Sequence, residues 1–230
     1  MRYLVVGLGS FGASLSKELT AHGHEVIGID TDMQKVEHFK ESISHTIRMD
    51  ATDEFAVSGL PLRDTDVVIV AIGEEQGVNI MATALFKNLG VKRLVSRSIN
   101  ALHEKVLQAI GVDEIVRPEA ESAERWAKKF TMKNVVDSFE LGEDYSIVEA
   151  EVSPEHVGKT IEEVGFRRKH HLLVLSILNQ SKPTGFADRN RKKTVVRGVV
   201  TPQQILAEDD VLVLYGSNKD LQSFLKRQIA

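Results

Sequence analysis

Cysteine is absent from the 230 residues, which excludes disulfides and thiolate chemistry and fits a reducing compartment. No apolar run approaches the roughly 18 to 20 residues that a membrane-spanning helix requires. Met1 leads directly into an apolar segment, so the chain reads as a cytosolic protein without a signal peptide. A net charge of −4 gives no general attraction to nucleic acid or to an anionic membrane. There is no Walker lysine motif and no G-x-S-x-G, which removes support for an NTPase or a hydrolase. His22, His24, His170 and His171 lack an acidic or thiolate set at ligand spacing, so surface and packing roles suit them better than a metal. What remains, 42% hydrophobic and 27% charged residues, is the composition of an ordinary globular protein long enough for one large domain or two modest ones.

What is present begins at the first residues. Arg2 to Val6 is a short apolar run of strand type, followed at once by Gly7-Leu8-Gly9-Ser10-Phe11-Gly12, a G-x-G-x-x-G. Phe11, Leu15 and Leu19 then recur at the spacing of one helix face. In a strand, turn and helix of this kind Gly7 permits the sharp turn, Gly9 admits a pyrophosphate to the backbone, and Gly12 lets the helix pack on the strand. The unpaired N–H groups of the first helical turn and the helix dipole then favour phosphate. A second strand, Glu25 to Ile29, ends in Asp30, about twenty residues past the glycines, where the dinucleotide fingerprint asks for an acid. A carboxylate there accepts hydrogen bonds from ribose hydroxyls and repels a 2′-phosphate. The plainer alternative is a strand-end or capping aspartate. Together these features predict a site for NAD or an adenine nucleotide.

Further along, Asp32 to Glu41 reads as a short helix, Ser44 to Arg48 as a polar strand, and Asp66 to Val70 as a strongly apolar one. A helix carrying Val78, Met81, Ala82 and Leu85 follows. The strand Arg93 to Ser96, a helix with Leu102, Val106 and Ile110, and the strand Glu114 to Val116 complete the set. Strands alternating with helices imply a doubly wound parallel sheet of Rossmann type, with ligands outside the carboxyl ends of the strands. Those ends are Gly7 to Gly12, Asp30 and Thr31, Asp50 to Thr52, Ala71 to Glu74, and Arg97 to Ile99. Asp50 and Thr52 suit the adenine end and Arg97 supplies positive charge, the alternative being solvated loop residues. Glu119 to Met132 is a helix beyond the sheet, with Ala123, Trp126, Ala127 and Phe130 on one side. That side needs cover, from a second copy of the chain or from the rest of this one.

From Val135 the pattern changes to strands paired through turns: Val135 to Leu141, Ser146 to Val152, Leu172 to Leu178 and Val211 to Tyr215, with short helices at 159–164 and 219–226. This predicts a nucleotide-binding domain over 1–134 and a small α+β domain over 135–230. Asn179 to Arg197, rich in Lys and Arg, reads as an exposed loop or hairpin extension whose charge is ordinarily solvated; a ligand or membrane role is the alternative. Tyr215 and Lys219 stand as Y-x-x-x-K, but a strand end and a turn separate them, unlike the single helix of short-chain dehydrogenases. An NAD-dependent oxidoreductase with an unrecognised catalytic residue is therefore the rival to a nucleotide sensor.

The glycine motif, Asp30, Asp50-Ala51-Thr52, Val70-Ala71-Ile72-Gly73, Ile110-Gly111-Val112-Asp113 through Pro118-Glu119, and the closing Pro202, Leu206, Asp209-Asp210-Val211-Leu212 and Gly216 resemble the regulator-of-potassium-conductance (RCK, or KTN) family. The likeness covers almost the whole chain and is greatest to soluble subunits of the KtrA and TrkA type. The resemblance implies a cytosolic homodimer, assembled to an octameric gating ring beneath a membrane-embedded K⁺-translocating subunit of the KtrB or TrkH type. Binding of ATP, ADP or NAD(H) would reshape the ring. By position, it implies phosphate contact at Gly9, Ser10 and Phe11, ribose contact at Asp30, and adenine contact at Asp50 and Ala51. Ile72, Gly73, Glu74, Arg97, Ser98, Ile99 and His103 would complete the pocket. It implies a divalent cation (Mg or Ca) at Glu119 and cyclic di-AMP near Ile161 and Arg167. Ser10 stands where many members have arginine, and offers a neutral hydroxyl in its place.

Overall fold

A computed structural model describes residues 1–131, 135–181 and 193–227. The first of two compact units, Met1–Glu121, alternates strand and helix. In order these are β1 (Arg2–Val6), α1 (Ser10–Ala21), β2 (Glu25–Asp30), α2 (Met33–Phe39), β3 (His45–Arg48), α3 (Glu54–Ser58), β4 (Val67–Val70), α4 (Gln76–Asn88), β5 (Leu94–Arg97), α5 (Ala101–Ile110) and β6 (Glu114–Val116). All six strands are parallel, in the order β3-β2-β1-β4-β5-β6. The chain thus winds outward from β1 in both directions, and β1 and β4 flank the point where the order reverses.

Successive residues of a strand face opposite sides, and here both sides are covered. Leu4, Val6, Ile29, Val68 and Val70 pack with Ala82 and Phe86 on one face, while Val5, Val26, Ile69 and Val95 pack with Leu8 and Ile43 on the other. This is why the strands read as nearly continuous apolar runs. α3 is not anticipated by the sequence reading. Its five residues are too few for a periodic signal; it starts because the Asp53 carboxylate accepts the amides of Phe55 and Ala56. α6 (Pro118–Thr131) begins where β6 has ended.

The second unit, Ser122–Ala230, is built on an antiparallel sheet. β7 (Val135–Glu140), β8 (Tyr145–Glu151), β9 (Leu173–Ser181), β10 (Lys193–Val199) and β11 (Asp210–Ser217) lie in the order β10-β9-β11-β8-β7. Val148, Ala150, Ile177, Leu212 and Leu214 form one face of its core, under Val164, Phe166, Leu221 and Phe224 of the helices α7 (Ile161–Val164), α8 (Phe166–His170) and α9 (Asn218–Arg227). One expectation is corrected here and another is narrowed to one of its two alternatives. The helix expected at 159–164 starts at Ile161, because Thr160 and Glu163 make a reciprocal capping box, and it stops at Gly165 in the left-handed region. α8 then follows as a separate turn. The basic stretch is not all loop: residues 193–199 form β10, antiparallel to β9, so the hairpin extension is the better description. Lys182, Arg189, Arg191 and Lys192 lie outside the described residues.

At the edge of the second core the half-buried His156 ring stacks on Phe224 at 5.6 Å and lies 6.3 Å from Phe166. Burial holds its pKa below the usual 6.5, helped by the nearby charges of Lys159, His170 and Lys169 and opposed by Glu155. The unfolded chain therefore takes up a proton near pH 6.5 while the folded one resists it. Stability from this site is full above that pH and declines as pH falls through and below it. We expect the thermal midpoint of the chain to fall more steeply below pH 6.5 than that of His156→Phe. Parallel curves would contradict the assignment.

Candidate functional site

A cleft of about 260 Å³ opens at the carboxyl ends of the strands, where the sheet order reverses. The turn leaving β1 is fixed first: the Gly7 amide donates to the Ile29 carbonyl at 2.7 Å and its φ is +96°. Gly12 faces that turn from α1 so closely that a Cβ there would sit 1.9 Å from the Gly7 carbonyl oxygen. α1 can begin against the turn only because this position has no side chain. At its N-terminal end Gly9 carries no side-chain cap. The first-turn amides and the positive end of the helix dipole therefore look into the cleft.

Opposite them lies Asp30. One of its oxygens accepts the Leu8 amide at 2.8 Å and the other the Asp32 amide at 2.9 Å, which locks the carboxylate in place at the tip of β2. Each oxygen keeps a further lone pair for a ligand hydroxyl. The Lys35 ammonium lies 3.7 Å from the same carboxylate and also lines the cleft. Asp50 is turned into its own loop: its Oδ1 accepts the Thr52 amide and hydroxyl, and these bonds hold its pKa below the usual carboxylate value.

On the other side of β1 stands Arg97. Its guanidinium donates to the Ala71 carbonyl at 3.3 Å, pairs with Glu119 and lies over the Phe11 ring. It rests against Gly73, where a Cβ would come within 2.3 Å of it. The cleft thus has an acid at its β2 end, bare amides at its middle and a held guanidinium at its β5 end. Such a set suits a ligand with vicinal hydroxyls joined to an anionic chain.

Of the residues singled out from sequence, Gly7, Gly9, Ser10, Asp30, Thr31, Asp50, Ala51, Ala71, Ile72, Gly73, Glu74 and Arg97 line this cleft together. Phe11, Gly12 and Thr52 support it without lining it. Ser98 and Ile99 line a neighbouring cavity of about 340 Å³, which shares Arg97 and Glu119 with the first. His103 is 2% exposed and lies within the fold. Its Nε2 is 3.1 Å from Asn79 Oδ1, and burial lowers its pKa. Glu119, read as a metal ligand, lines the cleft as the partner of Arg97; among the described residues no group of three His, Asp or Glu is placed to hold a metal. Ile161 and Arg167 share a cavity of about 490 Å³ in the second unit with Phe166, Leu173 and Val174. Lys35, Met49, Glu75 and Val78 also line the cleft and are not found from the sequence. Lys35 follows Asp30 by little more than one helical turn, a spacing that is the only signal it leaves.

Tyr215 sits in β11 and Lys219 on α9, two different elements. The Trp126 and Phe130 rings of α6 lie 5.3 Å apart, tilted at 34°, and are 52% and 78% exposed.

The model of the TrkA-N domain matches residues 3–118. Ktr system potassium uptake protein C of Bacillus subtilis (strain 168) is 36% identical over 225 residues, spanning 98% of this chain and 96% of that protein. Ktr system potassium uptake protein A of the same organism is 31% identical over 223 residues, spanning 97% and 95%. Among solved structures, the GsuK channel bound to NAD matches with a TM-score of 0.65 at 17% identity, over 100% of this chain and 39% of that one. The GsuK RCK domain matches at 0.64 and 17%, over 98% and 47%. The chain spans less than half of either, and at such identity the likeness is one of fold.

Proposed function

The chain belongs to the TrkA-N domain family, and from that premise we propose that it is a regulatory subunit that binds an adenine nucleotide and thereby sets K⁺ flux through a separate, membrane-embedded K⁺-translocating subunit. The observation that carries this reading is the uncapped start of α1 facing the fixed Asp30 carboxylate across one cleft. The potassium-uptake names of its relatives supply the process in which binding is used.

The ligand class follows from the cleft. Asp30 accepts from ribose hydroxyls, and the α1 amides receive the phosphates. ADP, ATP, NAD and NADH share that adenosine diphosphate moiety, NAD being the ligand of the GsuK structure. Ser10 brings no charge to the phosphates, so the compensating charge comes from Arg97 and the helix dipole. Arg97 already pairs with Glu119, so an arriving phosphate competes with Glu119 for the guanidinium. Loosening that pair frees the first turn of α6, the helix that leaves the nucleotide-binding unit. A ligand drives such a change only through unequal affinity for the two states, with coupling of about 1 to 3 kcal/mol being typical. The cleft binds nucleotide and returns it intact.

The exposed Trp126 and Phe130 side of α6 is the surface on which two copies would pair, as the first step toward a ring at the cytoplasmic face of the membrane. No described helix is long and apolar enough to cross a membrane, so this reading requires a partner chain for the pore. Reconstitution with a K⁺-translocating subunit in vesicles tests it. We expect rubidium flux to change by about 5- to 100-fold when ADP, ATP or NADH is supplied. Flux indifferent to all of them would overturn the proposal.

A further inference from the structure

Beneath the cleft lies a polar cluster that the nucleotide contacts leave unexplained. Asn79, on α4, is fully buried, as are Thr83 and Ser96, and His103 of α5 is 2% exposed. The Asn79 Nδ2 donates to the Ile72 carbonyl at 2.9 Å and to the Arg97 carbonyl at 3.2 Å. Ile72 follows β4 and Arg97 ends β5, and both line the cleft. The Asn79 Oδ1 accepts from the Ser96 hydroxyl at 3.1 Å and meets His103 Nε2 at 3.1 Å and the Thr83 hydroxyl at 3.4 Å. The two carbonyls fix which way the amide points, since only its nitrogen can donate to them. Its oxygen must then face His103, whose Nε2 carries the proton, leaving Nδ1 buried without a partner among the described residues. One side chain therefore ties the ends of two strands to two helices.

We infer that Asn79 is a positioning residue of the cleft: by holding the Ile72 and Arg97 carbonyls it sets the spacing between Gly73 and the Arg97 guanidinium, and so governs phosphate binding without touching ligand. The Arg97 guanidinium lies against Gly73 and is held by the Ala71 carbonyl and Glu119, so a shift of either strand end changes where it is presented to the cleft. Sheet order makes the effect one-sided. Asp30 on β2 and Asp50 after β3 lie on one side of β1, whereas Ile72 after β4 and Arg97 on β5 lie on the other. Adenosine is gripped on the first side, and the phosphates reach the second. This inference rests on the nucleotide-binding reading above.

The test titrates the full chain with ADP and with adenosine in four forms: wild type, Asn79→Asp, Arg97→Ala and the double variant. A carboxyl has one proton to offer at most, so in Asn79→Asp at least one of the two carbonyls loses its donor. ADP affinity should fall by about 5- to 20-fold. Adenosine affinity should change by less than about 3-fold, and Arg97→Ala should cost much less in the Asn79→Asp background than alone. Equal losses for both ligands, or full additivity with Arg97→Ala, would make Asn79 a merely structural residue and overturn the inference. If Asn79→Asp fails to fold, Ser96→Ala removes only the hydroxyl that supports its oxygen; a 2- to 5-fold loss for ADP alone is then expected, and unchanged ADP affinity refutes the role. Wild-type protein that binds neither ligand would instead bring down the nucleotide-binding reading itself, and this inference with it.

Discussion

Gly12→Ala should abolish nucleotide binding and destabilise the first unit, through a single methyl group. The new Cβ would stand 1.9 Å from the Gly7 carbonyl oxygen and 3.0 Å from the Ala71 side chain. The first of these is backbone, in a turn whose amide is already bonded to Ile29, so no rotamer change relieves the contact. Either α1 lifts from the sheet or the turn after β1 opens. Both displace the bare amides from the cleft. The cost should be about 2 to 4 kcal/mol in urea unfolding, at the upper end of what overpacking produces, and ADP affinity should fall by at least about 100-fold. Gly9 makes the instructive contrast. A Cβ there meets no atom within 4 Å, so Gly9→Ala should fold normally, and any loss of affinity would come from crowding the ligand. Wild-type behaviour of Gly12→Ala in both measurements would mean that α1 does not start where the structure has it.

Asp30→Ala has the second large effect, on every ligand that carries an adenosine ribose. The substitution removes an acceptor for ribose hydroxyls and also the partner of the Leu8 and Asp32 amides, so the edge of the cleft loses both its charge and its brace. Hydrogen bonds to a charged group contribute about 1.5 to 3 kcal/mol, which corresponds to about a 10- to 150-fold loss of affinity by calorimetry. ADP, ATP and NADH should lose about equally, since all three present the same ribose there. Asp30→Asn keeps one oxygen acceptor and should recover part of the loss. Unchanged affinity in Asp30→Ala would remove this residue from the site.

The contrast between these two residues and Asn79 shows what the sequence can convey. Gly12 and Asp30 belong to a local pattern: a strand, a glycine turn and an acid at the next strand tip follow one another at fixed spacing, so their roles are legible in the order of residues alone. The alternation of apolar runs with helical stripes likewise suffices for the parallel sheet, because a strand buried on both faces leaves an unbroken apolar run. Asn79 has no such signature. It is a polar residue in an amphipathic helix, where it reads as surface, and its importance comes from contacts with residues 7, 17 and 24 positions away. His103 fails in the opposite direction. The family resemblance implies a place for it in the pocket, but the first turn of α5 aims its ring inward at Asn79. Lys35 is lost for the reason that makes it useful, since a lysine on a short exposed helix is unremarkable until Asp30 is seen 3.7 Å away. In the second unit α8 is missed and β10 is foreseen only as a hairpin extension without bounds, because each depends on something nonlocal: Gly165 turning the chain between two short helices, and β9 offering an edge for residues 193–199.

The most direct measurement is titration of the purified chain with ADP and NADH, followed by mass analysis of the recovered nucleotide. Saturable binding of one equivalent per chain, greatly weakened in Asp30→Ala, with the nucleotide recovered unchanged, is the expected result. No binding of either ligand, or its conversion during incubation, would contradict the central claim that this cleft holds an adenosine diphosphate moiety in order to signal.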